Sequence, residues 1–101
     1  MNFRIIKSPS EGTIDILKRR ISTNCKSDID KSGAVGLIQG KIIDMIYAAD
    51  IAEKAVGVTV EDVRGSCPQH MLIIAIFGDI ASVEAAIMEI KHKMEEGIAL
   101  W

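Results

Sequence analysis

The chain has 101 residues, 49% of them apolar but only 4% aromatic, and its 12 basic and 14 acidic side chains leave a net charge of −2. A domain of this length buries roughly two-thirds of the surface its unfolded chain exposes, so one compact unit cored by small aliphatic side chains is expected. The charge balance, with no polybasic tract, argues against nucleic acid, and the apolar run Met71 to Phe77 is far short of the roughly 20 residues that span a bilayer. Asn2-Phe3-Arg4 does not open a signal peptide, so a cytosolic protein is expected, with Cys25 and Cys67 free or metal-binding rather than disulfide-bonded.

Phe3 to Lys7 reads as a short strand that Ser8-Pro9-Ser10-Glu11-Gly12 stops with turn chemistry. Thr13 then caps a helix with Ile14, Leu17 and Ile21 on one face, Asp15 in its first turn, and Lys18, Arg19 and Arg20 where the helix dipole favours cations. A polar connection from Asn24 to Ser32 leads into a buried strand over Gly33 to Ile38, whose two glycines would admit another backbone. From Lys41 to Val56 the spacing predicts a helix with two apolar ridges. Ile42, Ile46, Ala49, Ala52 and Val56 form one, and Ile43, Tyr47, Ile51 and Ala55 the other, a stripe wider than one sheet requires and therefore suited to a second subunit.

Val58, Val60 and Val63 mark the next strand, with a bulge expected where the alternation slips at Glu61-Asp62. Met71 to Phe77 is continuously apolar and reads as a buried strand. Gly78 ends it, Asp79 caps a last helix that turns Val83, Ile87, Ile90 and Met94 inward, and Gly97 is expected to stop that helix. The succession strand, helix, strand, helix, strand, strand, helix predicts a small α/β sandwich with helices on a mixed or antiparallel sheet.

Between the last two strands lies Gly65-Ser66-Cys67-Pro68-Gln69-His70, which holds one of two cysteines, one of two histidines and one of two prolines. One thiol cannot hold a metal centre alone. A binding role for Cys67 therefore requires identical copies to meet around a symmetry axis. The competing reading is a small hydrophobic thiol that packs or lines a surface. His70 reads either as a donor or alternate ligand beside Cys67 or as a polar residue at the loop exit. Cys25 lacks ligand-type neighbours and reads as a helix-end packing residue, and His92, between Lys91 and Lys93, as a solvent-facing one. No nucleophile with a base at recognisable spacing and no phosphate-cradling glycine pattern is present, so an enzyme is not expected.

Three segments, in order, carry a family resemblance: Ala34-Val35-Gly36-Leu37-Ile38, Ala49-Asp50-Ile51-Ala52-Glu53-Lys54-Ala55, and Gly78-Asp79-Ile80-Ala81-Ser82-Val83-Glu84-Ala85-Ala86. Gly33 to about Ile90 resembles a bacterial microcompartment (BMC) shell domain, and the strand and helix before it resemble the circularly permuted subclass. One BMC domain over residues 1–101 is implied, with 1–32 the permuted strand and helix and 33–96 the core. The resemblance further implies a structural subunit of a microcompartment shell in the cytoplasm, forming a cyclic homohexamer that meets neighbouring shell hexamers and, as further partners, encapsulated enzymes. Lys54 would then stand at the hexamer edge, and Gly65, Ser66, Pro68, Gln69 and His70 would line the central pore around Cys67.

Cys67-Pro68-Gln69-His70 departs from the short glycine- and serine-rich pore turn common in that family. The departure is similar to the shell subgroup that accompanies glycyl-radical enzymes, whose pore cysteine is associated with an iron–sulfur cluster. That resemblance implies a cluster, of [4Fe–4S] type, shared among the Cys67 thiolates of several subunits, with electron transfer across the shell as its use and cluster delivery to an encapsulated enzyme as the rival use. Two alternatives stay open: a metal-free shell hexamer with a metabolite pore, and a small regulatory domain that binds a metabolite between subunits.

Overall fold

The computed structural model describes residues 1–21, 29, 32–55, 57–65 and 71–99. Among them the order is strand β1 (Asn2–Lys7), helix α1 (Glu11–Arg20), strand β2 (Ala34–Lys41), helix α2 (Ile42–Glu53), strands β3 (Val58–Val63) and β4 (Met71–Gly78), and helix α3 (Ile80–Ala99). This is the α/β succession the sequence predicts. The strands form one sheet in the order β1-β2-β4-β3, and each neighbouring pair is antiparallel.

The apolar run of β4 sits beside β2 and β3 in the middle of this sheet, so alternate side chains enter two different cores. Ile74 and Ile76 meet Met45, Ala48 and Ala52 of α2 and Val83, Ile87 and Ile90 of α3. Ala75 and Phe77 face the other way, where Val35 and Val63 join them under Ile14 and Leu17 of α1, together with Ile21 and Ile29. The molecule is thus three layers, with α1 on one side of the sheet and α2 and α3 on the other. Each large aliphatic or aromatic side chain buried here contributes about 1.5–3 kcal/mol. β1 pairs with β2 over all six of its residues and is therefore part of the domain's own sheet.

Several local expectations are corrected. Ser10, not Thr13, caps α1: its Oγ accepts from the Thr13 N–H at 3.2 Å, and the two hydroxyls lie 2.9 Å apart. The Ser10-to-Thr13 spacing lets a capping hydroxyl reach the third N–H of the helix, which starts it two residues before Thr13. The expected bulge in β3 is absent, because its register against β4 runs unbroken from Val58↔Gly78 to Val63↔Ile73. Val63 is apolar because it enters the α1-side core, whereas Val58 and Val60 pack on the opposite side.

In α2 the buried residues are Met45, Ala48, Ile51 and Ala52, with Ala49 and Ala55 packed against them, so the prediction placed part of the buried face but missed Met45 and Ala48, while Ile43 and Ile46, 76% and 63% exposed, carry the excess width it anticipated. α3 runs through Gly97 to Ala99. Gly36 admits the Val83 and Ile87 side chains rather than a backbone. Gly33 does lie against backbone, that of Gly78 to Ile80, as expected, and a tighter backbone approach occurs at Gly78, where a Cβ would lie 2.6 Å from the Gly57 carbonyl oxygen; Gly57 itself turns the chain at φ +86°.

Asp79 caps α3 as expected. Its Oδ1 accepts from the Ser82 N–H at 2.7 Å and its carbonyl from the Val83 N–H at 3.0 Å. The Ser82 backbone and side-chain hydrogen bonds hold the Asp79 carboxyl below its ordinary pKa. A lowered folded-state value means that its stabilisation is complete above the usual carboxylate range near about 4 and fades as pH falls through the lowered value. Thermal melts across that acid range should show a shallower loss of stability in Asp79→Asn than in the parent. Gly78→Ala should lose about 1–3 kcal/mol in urea unfolding, because the added methyl meets backbone rather than a side chain that can move. A neutral result would deny the close approach.

Candidate functional site

The loop between β3 and β4 leaves the sheet at one defined end. The last ladder pair in β3 is Val63↔Ile73, and at the same end Met71 pairs with Lys41, where α2 begins. The loop's ascending stem is held by α1. The Arg64 N–H donates to the Arg20 carbonyl at 2.8 Å, and Arg20 Nη1 donates to the Arg64 carbonyl at 3.2 Å. Gly65 follows, exposed, and a Cβ on it would stand 3.2 Å from Arg20 Nη1. Ser66, Cys67, Pro68, Gln69 and His70 lie outside the described residues, as does Cys25.

This clamp is what the sequence reading missed. Lys18-Arg19-Arg20 was read as a basic helix end favoured by the dipole, and Arg19 and Arg20 are exposed as that reading implies, but Arg20 also joins two backbones 44 residues apart. A dipole argument explains why cations gather at the end of α1 but carries no signal for a partner so distant in the chain.

Lys54 stands at the C-terminal end of α2. Its backbone N–H donates to the Asp50 carbonyl at 3.2 Å, and its Nζ pairs with Asp50 Oδ2 at 2.8 Å. The hydrogen bond and charge of Asp50 raise the pKa of the amine, which is therefore charged at any physiological pH. Both side chains are exposed, 75% and 56%, so the pair orients Lys54 more than it stabilises the fold. Lys54 and Asp50 border a groove of about 570 Å³ between α2 and α3 with Tyr47, Glu89 and Lys93.

The two sites are not brought together. α2 starts at the loop end of the sheet and runs back, so its 12 residues, about 18 Å at ~1.5 Å per residue, separate Lys54 from the loop. The strand ends that flank the loop and Lys54 stand at opposite ends of one domain. Among the described residues no group of three or more His, Cys, Asp and Glu could hold a metal ion, and His92 is exposed on α3.

The BMC domain profile matches residues 34–100. Two solved structures are similar over nearly the whole chain. The ligand-free GrpU microcompartment shell protein from Clostridiales bacterium 1_7_47FAA is 55% identical, with 98% of each chain covered and a TM-score of 0.75. The ligand-free GrpU microcompartment shell protein from Pectobacterium wasabiae is 33% identical, with 89% of this chain and 99% of that one covered and a TM-score of 0.71. No curated protein matches the chain. The chain therefore belongs to the BMC domain family of microcompartment shell proteins. Within that family it is similar to the GrpU proteins, its place is the shell of a bacterial microcompartment, and no catalytic family is indicated.

Replacing Arg20 by Ala removes one of the two hydrogen bonds at the loop stem. Amide exchange at Arg64 and Gly65 should rise several-fold while the buried amides of β4 keep their protection. Equal exchange in the two proteins would show that the clamp does not restrain the loop.

Proposed function

We propose that the chain is a structural shell subunit that assembles as a cyclic homohexamer, with the loop after Arg64 turned toward the six-fold axis and Lys54 toward the rim. The observation that carries this reading is that the strand ends flanking the loop and Lys54 stand at opposite ends of the domain, since one end of a ring subunit must face the axis and the other its neighbours in the shell. The exposed apolar face of α2, with Ile43 and Ile46 outermost, supports subunit contact. The circularly permuted arrangement is part of the same proposal. Its support is that the BMC match begins at residue 34, leaving β1 and α1 ahead of it, although β1 is hydrogen-bonded along the whole of its length in the same sheet.

The finer reading assigns an iron–sulfur cluster to Cys67 of several copies at that axis. A [4Fe–4S] centre commonly takes four thiolates, and one chain offers Cys67 alone from the loop, so the group fits only where subunits meet. Pro68 stiffens the backbone beside the thiolate, as in the Cys-Pro step of bacterial ferredoxins. Such a cluster supplies one-electron transfer between the two sides of the shell. Gly65, Ser66, Pro68, Gln69 and His70 form its surroundings in this reading, and contact between shells and encapsulated enzymes belongs to the same proposal.

One cluster per six chains gives about two-thirds of an iron per chain. Anaerobically prepared protein should carry iron and acid-labile sulfide in that ratio and absorb broadly in the visible. Cys67→Ser should lose both signals and keep the hexamer mass in light scattering. Unchanged iron in that variant ends the cluster assignment. Metal-free hexamers that still tile into sheets would return the pore to metabolite passage, and dimers or trimers that form no sheets would remove the shell-ring reading altogether.

A further inference from the structure

α1 does not cover the whole of its side of the sheet. It begins beside the end of β1, where the Ser8 N–H donates to the Gly33 carbonyl at 2.8 Å, and finishes against Arg64 just past β3, so its path is diagonal. Ile14, Leu17 and Ile21 shelter Val35, Val63, Ala75 and Phe77 along that diagonal. At the opposite corner, over β1 and β2 toward the loop end, lies an open trough of about 340 Å³ lined by Asn2, Arg4, Leu37, Ile38, Gln39 and Ile73.

The ladder places these side chains. Asn2, Gln39 and Ile73 are paired in one row across β1, β2 and β4, and Arg4 and Leu37 stand two residues along on the same face. The floor is apolar, since Leu37 and Ile73 are only half-buried and carry the α1-side core out to its edge. The rim is polar and positive. Arg4 Nη1 donates to the Phe3 carbonyl at 2.7 Å, which steadies the guanidinium and engages only part of its fork of donors. The Asn2 and Gln39 amides each offer both donors and an acceptor. No Asp or Glu is among the described residues of the lining, so the charge the trough presents is that of Arg4 alone.

We propose that this trough binds a small organic acid, with the carboxylate on Arg4 and the hydrocarbon chain over Leu37 and Ile73. A guanidinium accepts a carboxylate through two parallel N–H bonds, so one arginine beside an apolar floor matches a ligand with one anionic end and one greasy end. An inorganic anion would leave the floor unused. Size sets the other limit: three strands span about 10 Å and two same-face rows about 7 Å, which admits a short chain and not a fatty acyl tail. At about 340 Å³ the trough is also at the small end of the roughly 300–1,000 Å³ range of ligand sites. Asn2 and Gln39 are placed to hydrogen-bond the second carboxylate oxygen or a hydroxyl on the chain. The site is complete within one copy and depends on neither the ring nor the cluster.

The test is a titration of the full-length protein, methyl-labelled at Ile and Leu, followed by methyl NMR. Butyrate at constant ionic strength should shift the Leu37 and Ile73 signals saturably while the exposed Ile16 and Ile43 signals stay in place. 1-Butanol, which keeps the chain and lacks the charge, should bind at least about tenfold more weakly, and so should butyrate to Arg4→Gln, since a charge-assisted hydrogen bond is lost in each case. Asn2→Asp, at another exposed position, sets a carboxylate in the trough and should repel butyrate to the same degree, which keeps the test decisive if Arg4→Gln does not fold. Absence of saturable shifts at Leu37 and Ile73, equal binding of butanol, or parent-like binding by the folded variants overturns the proposal. Inorganic phosphate that shifts the same methyls as strongly as butyrate overturns it too, by reducing the trough to a general anion patch.

Discussion

A strand that is apolar on both faces must be covered on both sides, and β4 imposes that requirement on the rest of the chain. Ile74 and Ile76 need one layer and Ala75 and Phe77 another, so α2 and α3 occupy one side of the sheet and α1 the other. Remove α1 and half of β4, with Val35 and Val63, is returned to water. The N-terminal strand and helix, which lie ahead of the BMC match, are therefore as integral to the core as the segment within it.

That covering helix also reaches the end of the sheet from which the β3–β4 connection leaves. α1 starts beside the end of β1, crosses the sheet, and finishes with Arg20 against Arg64, so the element that buries Phe77 is the one that restrains the stem of the Cys67 loop. α2 runs in the opposite sense over the other face and carries Lys54 away from the loop. In the proposed ring these two ends would face the axis and the rim.

The excess hydrophobicity of α2 bears on the same point. A helix needs one apolar stripe to cover a sheet, and Met45, Ala48, Ile51 and Ala52 supply it. Ile43, Ile46 and Tyr47 then have no place in the core and stay on the surface. Apolar side chains exposed at neighbouring positions are the kind of surface the proposed subunit contact would cover.

Element order and type, the two-faced burial of β4 and the Asp79 cap were legible in the sequence because each depends on near neighbours: the alternation of a strand, or a carboxylate three residues from the N–H it accepts. Family membership was legible for a similar reason, since the three marking segments are short and contiguous. The side of the sheet that α1 takes, the full buried face of α2 and the partner of Arg20 were not. Each joins residues that sequence spacing does not relate, such as Arg20 with Arg64 or Ile14 with Phe77, and only the folding of the sheet sets those distances. The sequence by itself determined what each segment is and that Cys67 requires sibling chains to act as a ligand. The tertiary structure alone decided which ends and edges those segments present, because position across a sheet is fixed by long-range strand pairing and not by the local chemistry of any one strand.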